Sequence, residues 1–150
     1  MVERAVTGHP TPEGGVAVDL CTGSGAVACA LATRRPEVRI WAVEREADAA
    51  RWARANVGAL GLQGRVTVME GDLFAPLVGL GLEGRLDLVT ANPPYLAGPT
   101  LGALPAEVRD WEPRVALFGG ESGFDLYDRI VADAPRVLRP GAWLVMELGF

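Results

Sequence analysis

The sequence predicts an α/β domain, doubly wound around a mostly parallel sheet, and three observations carry that prediction. Short runs rich in Val, Leu and Ile alternate with longer segments of helical pattern. The apolar runs are continuous, as strands covered by helices on both faces read. Turn residues fall at the junctions, and strictly alternating strands and helices close into a parallel sheet through right-handed crossovers.

Val2 to Val6 reads as a short lead-in helix, followed by a Pro/Gly loop from Gly8 to Gly15. The first strand is expected at Val16 to Leu20 and a helix at Ala26 to Thr33, closed by Arg34-Arg35-Pro36 because proline cannot continue a helix. A strand at Arg39 to Glu44 and a helix at Ala47 to Leu60 follow, ended by the glycines at 61 and 64. Strands three and four are expected at Arg65 to Glu70 and Leu86 to Ala91. A helix at Leu126 to Val137, a turn at Arg139-Pro140-Gly141 and a strand at Ala142 to Leu148 complete the pattern. Two connections are long, Ala75 to Gly84 and Leu96 to Gly123, and long connections at strand ends often carry function.

Composition bounds the partners. The chain has 150 residues, enough for one domain over its whole length with a core of its own, and 49% of them are hydrophobic. A net charge of -5 with no basic block argues against a long nucleic-acid footprint. Two cysteines, Cys21 and Cys29, with the single His9 make neither a disulfide framework nor a structural zinc site. No apolar run approaches the ~20 residues a membrane span needs, and the first residues do not read as a secretory signal, so a cytoplasmic protein is expected.

Strand one runs into Asp19-Leu20-Cys21-Thr22-Gly23-Ser24-Gly25 and then a helix. Gly23 and Gly25 let the backbone approach a ligand, and the helix amides behind them suit polar ligand groups. Glu44, at the carboxyl end of strand two, can accept hydrogen bonds from both hydroxyls of a ribose. The same spacing satisfies a dinucleotide fingerprint, and Asp19 separates the two readings. A carboxylate there repels a pyrophosphate but attracts the ammonium and sulfonium of S-adenosyl-L-methionine. After strand three, Asp72 is placed to accept from an adenine amino group and Leu73 to pack on its face.

After strand four comes Asn92-Pro93-Pro94-Tyr95. Two prolines fix φ and remove two backbone donors, leaving an acceptor-rich corner formed by the Asn92 side chain and the Pro93 carbonyl. Two acceptors can hold both hydrogens of an amide or aryl-amino NH2 group and turn the nitrogen lone pair toward a methyl donor. In-line transfer then depends chiefly on proximity and orientation. Tyr95 can stack on the planar group that carries the nitrogen.

These motifs, with Ala42-Val43-Glu44-Arg45 and Gly71-Asp72-Leu73-Phe74, resemble the HemK/PrmC-type protein-(glutamine-N5) methyltransferases, which have the class I methyltransferase (Rossmann-like) fold. The resemblance runs from Val16 to Leu148. Its most family-specific piece is Glu107-Val108-Arg109, Glu112-Pro113-Arg114-Val115-Ala116-Leu117, Gly119-Gly120 and Gly123, since Asn-Pro-Pro-Tyr is shared with adenine-N6 methyltransferases. It implies methylation of the glutamine of the Gly-Gly-Gln motif in peptide chain release factors. It also implies a cofactor site at Cys21 to Gly25, Glu44, Leu73 and Asn92, with the glutamine held by Asn92 to Tyr95. Adenine-N6 or guanine-N2 methylation of RNA or DNA is the alternative, and a cofactor-binding fragment without activity or a nicotinamide dinucleotide enzyme are more distant ones. The family usually has Gly where Cys21 stands. It also usually has an N-terminal helical domain and a helix and antiparallel pair after strand five, so the chain is expected to be the catalytic portion, truncated after that strand. The last strand is then an apolar edge prone to self-association.

Overall fold

Among the described residues, five parallel strands form one sheet that positions everything that follows. The computed structural model describes residues 14–98 and 114–148. The lead-in helix at Val2 to Val6, His9, most of the Pro/Gly loop, the Glu107 to Arg109 segment, Glu112 and Pro113 lie outside the described residues. The strands are β1 (Val16–Leu20), β2 (Arg39–Glu44), β3 (Val66–Glu70), β4 (Leu86–Ala91) and β5 (Leu138–Met146). The helices are α1 (Ala26–Arg34), α2 (Ala47–Ala59), the single turn α3 (Arg114–Leu117) and α4 (Asp125–Val137), and a short 3-10 turn at Ala75–Leu77 breaks the β3–β4 connection. The sheet order is β3-β2-β1-β4-β5, with every neighbouring pair parallel. Among the described residues no helix is long and apolar enough to cross a membrane.

Side chains alternate between the two faces of each strand, and both faces are covered. On one face Ala17, Ile40, Ala42 and Leu88 pack with Ala28, Leu31 and Ala32 of α1 and Val57 of α2. On the other, Val18, Leu20, Val43 and Val89 pack with Ile130 and Ala134 of α4 and with Leu73, Phe74, Leu77 and Leu82 of the β3–β4 connection. Burial on both faces is the reason β1, β2 and β4 read as continuous apolar runs. Each fully buried Val, Leu or Ile contributes roughly 1.5–3 kcal/mol.

The last strand differs from its expected bounds of Ala142 to Leu148. Leu138 already pairs with Leu86, and the register then shifts so that Trp143 meets Leu88. Arg139-Pro140-Gly141 is therefore a bulge within β5, not a turn before it. Gly141 takes φ 78, and a proline without an N–H is tolerated at a bulge on the outermost strand.

Asp87 is the one acidic side chain buried among the β4 apolar residues, and it closes the amino end of the sheet. Its carboxylate accepts from the Val16 backbone N–H at 2.8 Å and from Arg139 Nε at 2.5 Å, tying β1, β4 and β5 together. Hydrogen bonds to a charged group are each worth about 1.5–3 kcal/mol, discounted here because the Arg139 side chain is 40% exposed. Asp87→Ala is expected to lower the unfolding free energy by about 2 kcal/mol, measured by chemical denaturation. An unchanged midpoint would show that water replaces the carboxylate at no cost.

Candidate active site

The sheet order arranges the side chains singled out from the sequence into a row. From β3 across β2 and β1 to β4, the carboxyl ends carry Asp72, Glu44, Asp19 and Asn92 in that spatial order. Three interstrand steps of roughly 4.8 Å make this row about 14 Å long. The chain reverses its direction of travel between β1 and β4, where an open α/β sheet leaves a crevice at its carboxyl edge. A cleft of about 930 Å³ occupies that edge, lined by Asp19, Cys21, Thr22, Gly23, Ser24, Glu44, Asp72, Leu73, Asn92 and Pro94. Gly25, Pro93 and Tyr95 lie outside its lining.

Asp19 forms the floor. It is 1% exposed and pairs in register with Thr90 of β4. The Thr90 hydroxyl donates to Asp19 Oδ1 at 2.6 Å and the Thr22 hydroxyl to Oδ2 at 2.5 Å. Burial pushes the Asp19 carboxyl up to about 6. The hydrogen bonds from Thr22, Thr90 and the Ala28 backbone oppose that rise, and the nearby Glu44 charge adds to it.

The loop after β1 is pinned to β2. The Gly23 N–H donates to Glu44 Oε2 at 2.8 Å and the Glu46 N–H to Oε1 at 3.0 Å, so the Glu44 carboxylate is held still at both oxygens. Cys21 adopts φ 52, the left-handed region that glycine enters at least cost. That conformation explains why the family resembled here usually has Gly at this position. The Cys21 thiol is pushed up to about 12, first by burial and then by the Glu44, Asp19 and Asp72 charges, so it is not a nucleophile at neutral pH. Gly25 serves packing: it caps α1 at φ 80, and a methyl group there would stand 3.3 Å from Ala53 Cβ on α2.

Beyond β3, Leu73 is 6% exposed at φ 48 and presents its side chain to the cleft, next to Asp72. Arg129 of α4 forms an ion pair with Asp72 Oδ2. Nothing in the sequence pattern distinguishes Arg129 from the other charged residues of that helix, and the pairing spans 57 positions.

At the β4 end, Asn92 is exposed to the cleft, Pro93 is buried and Tyr95 is 38% exposed beside it. The backbone that follows is held from outside. The Leu96 N–H donates to the Leu117 carbonyl at 2.8 Å, and the Gly119 N–H returns to the Leu96 carbonyl at 3.0 Å. A methyl group at Gly119 would stand 2.5 Å from the Pro94 carbonyl oxygen and 2.8 Å from Tyr95 Cα. One at Gly123, where φ is 80, would stand 2.5 Å from the Tyr95 carbonyl oxygen. These glycines belong to the segment that carries the family resemblance, and the signal for their role was their bunching at 119, 120 and 123. Asp125 and Leu126, which open α4, also line the cleft and had no signal of their own.

The donor set decides what fits. Among the described residues, Asp19, Glu44, Glu46, Asp48, Asp72 and Asp125 line the cleft against a single guanidinium, Arg45. Such a wall accepts hydroxyl, amino and cationic groups and opposes a pyrophosphate. That charge disfavours the dinucleotide reading of the glycine loop.

Asp19 has a signature in stability. Its folded value of about 6 lies above the ordinary carboxyl value of 3.8. The native state therefore binds the extra proton, so this contribution is fully present below 3.8 and is lost as pH rises through about 6. Relative to Asp19→Asn, the wild-type unfolding free energy is expected to fall by on the order of 3 kcal/mol between pH 4 and pH 7. Denaturant titrations of both proteins across that range measure it, and a pH-independent difference between them would contradict it.

Known proteins share this architecture. The chain matches the family described as methyltransferase small domain over residues 6–104. A release factor glutamine methyltransferase of Geobacter sulfurreducens is 44% identical over 149 residues, covering 99% of this chain and 50% of that protein. A ribosomal protein uL3 glutamine methyltransferase of Bradyrhizobium diazoefficiens is 44% identical over 141 residues, covering 94% of this chain and 42% of that protein. The chain thus spans about half the length of the curated relatives it matches. The crystal structure of a SAM-dependent methyltransferase from Aquifex aeolicus superposes with a TM-score of 0.58 at 17% identity, covering 97% of this chain and 62% of that one, and shares the fold. Sheet order, cleft and matched span agree, and the chain belongs to the methyltransferase small domain family.

Proposed function

We propose that this chain is the catalytic part of an S-adenosyl-L-methionine-dependent enzyme that methylates the side-chain nitrogen of a protein glutamine. The first candidate substrate is the Gly-Gly-Gln motif of a peptide chain release factor, and the site of action the cytoplasm. One observation carries the reading: the row Asp72, Glu44, Asp19, Asn92 follows the order adenine, ribose, cationic methionine end, methyl acceptor. In this reading Asp72 accepts from the adenine amino group and Leu73 packs on the ring. Glu44, held by two backbone N–H groups, keeps lone pairs for the ribose hydroxyls. Ionised Asp19, with Cys21 to Ser24 around it, faces the positive charge.

When bound, the cofactor supplies an electrophilic methyl on a sulfonium, which leaves as a neutral thioether when the glutamine nitrogen attacks in line. The Asn92 side-chain oxygen and the Pro93 carbonyl accept the two amide N–H bonds and hold the nitrogen lone pair toward that methyl. Pro94 and Tyr95 shape the slot, and Tyr95 packs on the amide plane. The proton leaves after methyl transfer, from the cationic product to water, so no side-chain base is required. Holding the two reactants in a near-attack geometry is the main source of acceleration.

A protein glutamine is favoured over an adenine or guanine amino group by two things. The cleft is acidic, which disfavours a phosphate backbone, and the relatives quoted above are named for glutamine substrates. Release factor, ribosomal protein uL3 and an adenine-containing oligonucleotide, each incubated with the cofactor and analysed by mass spectrometry, separate the possibilities. A single added methyl on the release factor glutamine is expected. Methyl transfer only to the oligonucleotide overturns the substrate class, and cofactor binding without turnover on any of the three leaves a binding module.

Two variants test the acceptor slot. Asn92→Ala removes a side-chain acceptor, and Gly119→Ala pushes on Pro94 and Tyr95 without touching the cofactor row. Both are expected to slow methylation by about 100-fold or more while S-adenosylhomocysteine affinity stays within about threefold. Equal losses of binding and rate in Gly119→Ala would mean that the glycine merely supports the fold.

A further inference from the structure

We propose that Arg129 is a positioning residue for purine recognition: it holds one oxygen of Asp72 and so fixes the direction in which the other faces the adenine end of the cleft. The inference rests on the cofactor reading above and extends it to a residue on a different element. Arg129 reaches from α4 to the turn after β3 and pairs with Asp72 Oδ2. Among the described residues no other side chain donates to the Asp72 carboxylate, so Oδ1 is left for a ligand. Asp125 and Leu126, four and three positions before Arg129, line the same cleft, so this face of α4 overlooks it.

The pair is a poor candidate for a stabilising element. Its side chains are 50% and 42% exposed, and solvent-exposed ion pairs contribute little to folding. Its effect on recognition is a different matter. Without its partner the exposed Asp72 side chain is free to rotate among rotamers, so its acceptor oxygens have no fixed direction. With Arg129 in place the carboxylate is restrained through Oδ2, and Oδ1 keeps one direction as an acceptor. A base with an exocyclic amino group meets it with a hydrogen bond, whereas one with a carbonyl at that position meets it with two opposed lone pairs. Arg129 therefore sharpens the choice of adenine over a 6-oxopurine.

The test uses binding alone. S-adenosylhomocysteine and its 6-oxo counterpart, S-inosylhomocysteine, are titrated by calorimetry into the wild type, Arg129→Met, Arg129→Lys and Asp72→Asn. Methionine keeps the apolar stem without the charge, and melting temperatures verify that each variant folds. The wild type is expected to prefer the adenosyl ligand by roughly 30-fold, the worth of one charge-assisted hydrogen bond. Asp72→Asn should abolish the preference, since an amide can accept or donate. Arg129→Met should reduce it to about threefold and Arg129→Lys should restore part of it. A wild-type ratio retained in Arg129→Met overturns the proposal, even if both affinities fall, because a merely structural residue weakens both ligands alike. A ratio retained in Asp72→Asn overturns it too, by placing the acceptor elsewhere. Failure of the wild type to bind either ligand would instead remove the cofactor reading on which the proposal rests.

Discussion

The Thr90 hydroxyl and the Asp19 carboxylate meet 2.6 Å apart, closed off from solvent, where β1 and β4 lie side by side. Much of the site depends on that contact. It joins two strands that are 71 positions apart in the chain, at the place where the sheet changes its direction of construction. A shift of one residue in the β1–β4 register would turn Thr90 to the opposite face and leave the carboxylate buried without its partner, at a cost of several kcal/mol. The same register sets Asn92 one step beyond the end of β4, level with the loop after β1. Register, buried charge and the placing of Asn92 are thus one constraint seen from three sides.

Around that contact the cleft is built from restrained carboxylates. Glu44 is held by two backbone N–H groups and Asp19 by two hydroxyls, while Asp72 is held by a guanidinium. Fixing these groups before a ligand arrives removes the entropy of ordering them at the moment of binding. It also explains the odd conformations at the strand ends. Cys21, two residues after Asp19, and Leu73, directly after Asp72, both sit at positive φ, and the surrounding packing sustains that local strain. On the acceptor side the same end is reached with glycine. Backbone presses on backbone where Gly119 and Gly123 meet Pro94 and Tyr95, and a side chain would have no room.

Much of this was legible along the chain. Strands β1, β2 and β4 have the bounds their apolar runs suggest, because burial on both faces leaves a continuous signal. Asp19, Glu44, Asp72 and Asn92 were legible too, since each follows or ends a strand and such positions face a crevice in a sheet of this kind. The start of β5 was not, because Pro140-Gly141 reads as a turn. Its pairing with β4 across a bulge is a property of the partner strand, which no local pattern contains. Gly25 illustrates the same limit: its spacing suggests a loop for a ligand, and its close approach to Ala53 on the neighbouring helix is a second demand that no local pattern contains.

Local chemistry in the chain was therefore enough to name the fold and to single out Asn92 to Tyr95 and the acids at the strand ends as candidates. Those features depend on residues close in sequence, where periodicity, proline and glycine act directly on the backbone. The arrangement of the acids into one row, the burial that raises Asp19, and the reach of Arg129 to Asp72 arise only on folding. Each joins residues on separate elements, and their proximity is set by strand order and register, which are fixed when the whole sheet packs.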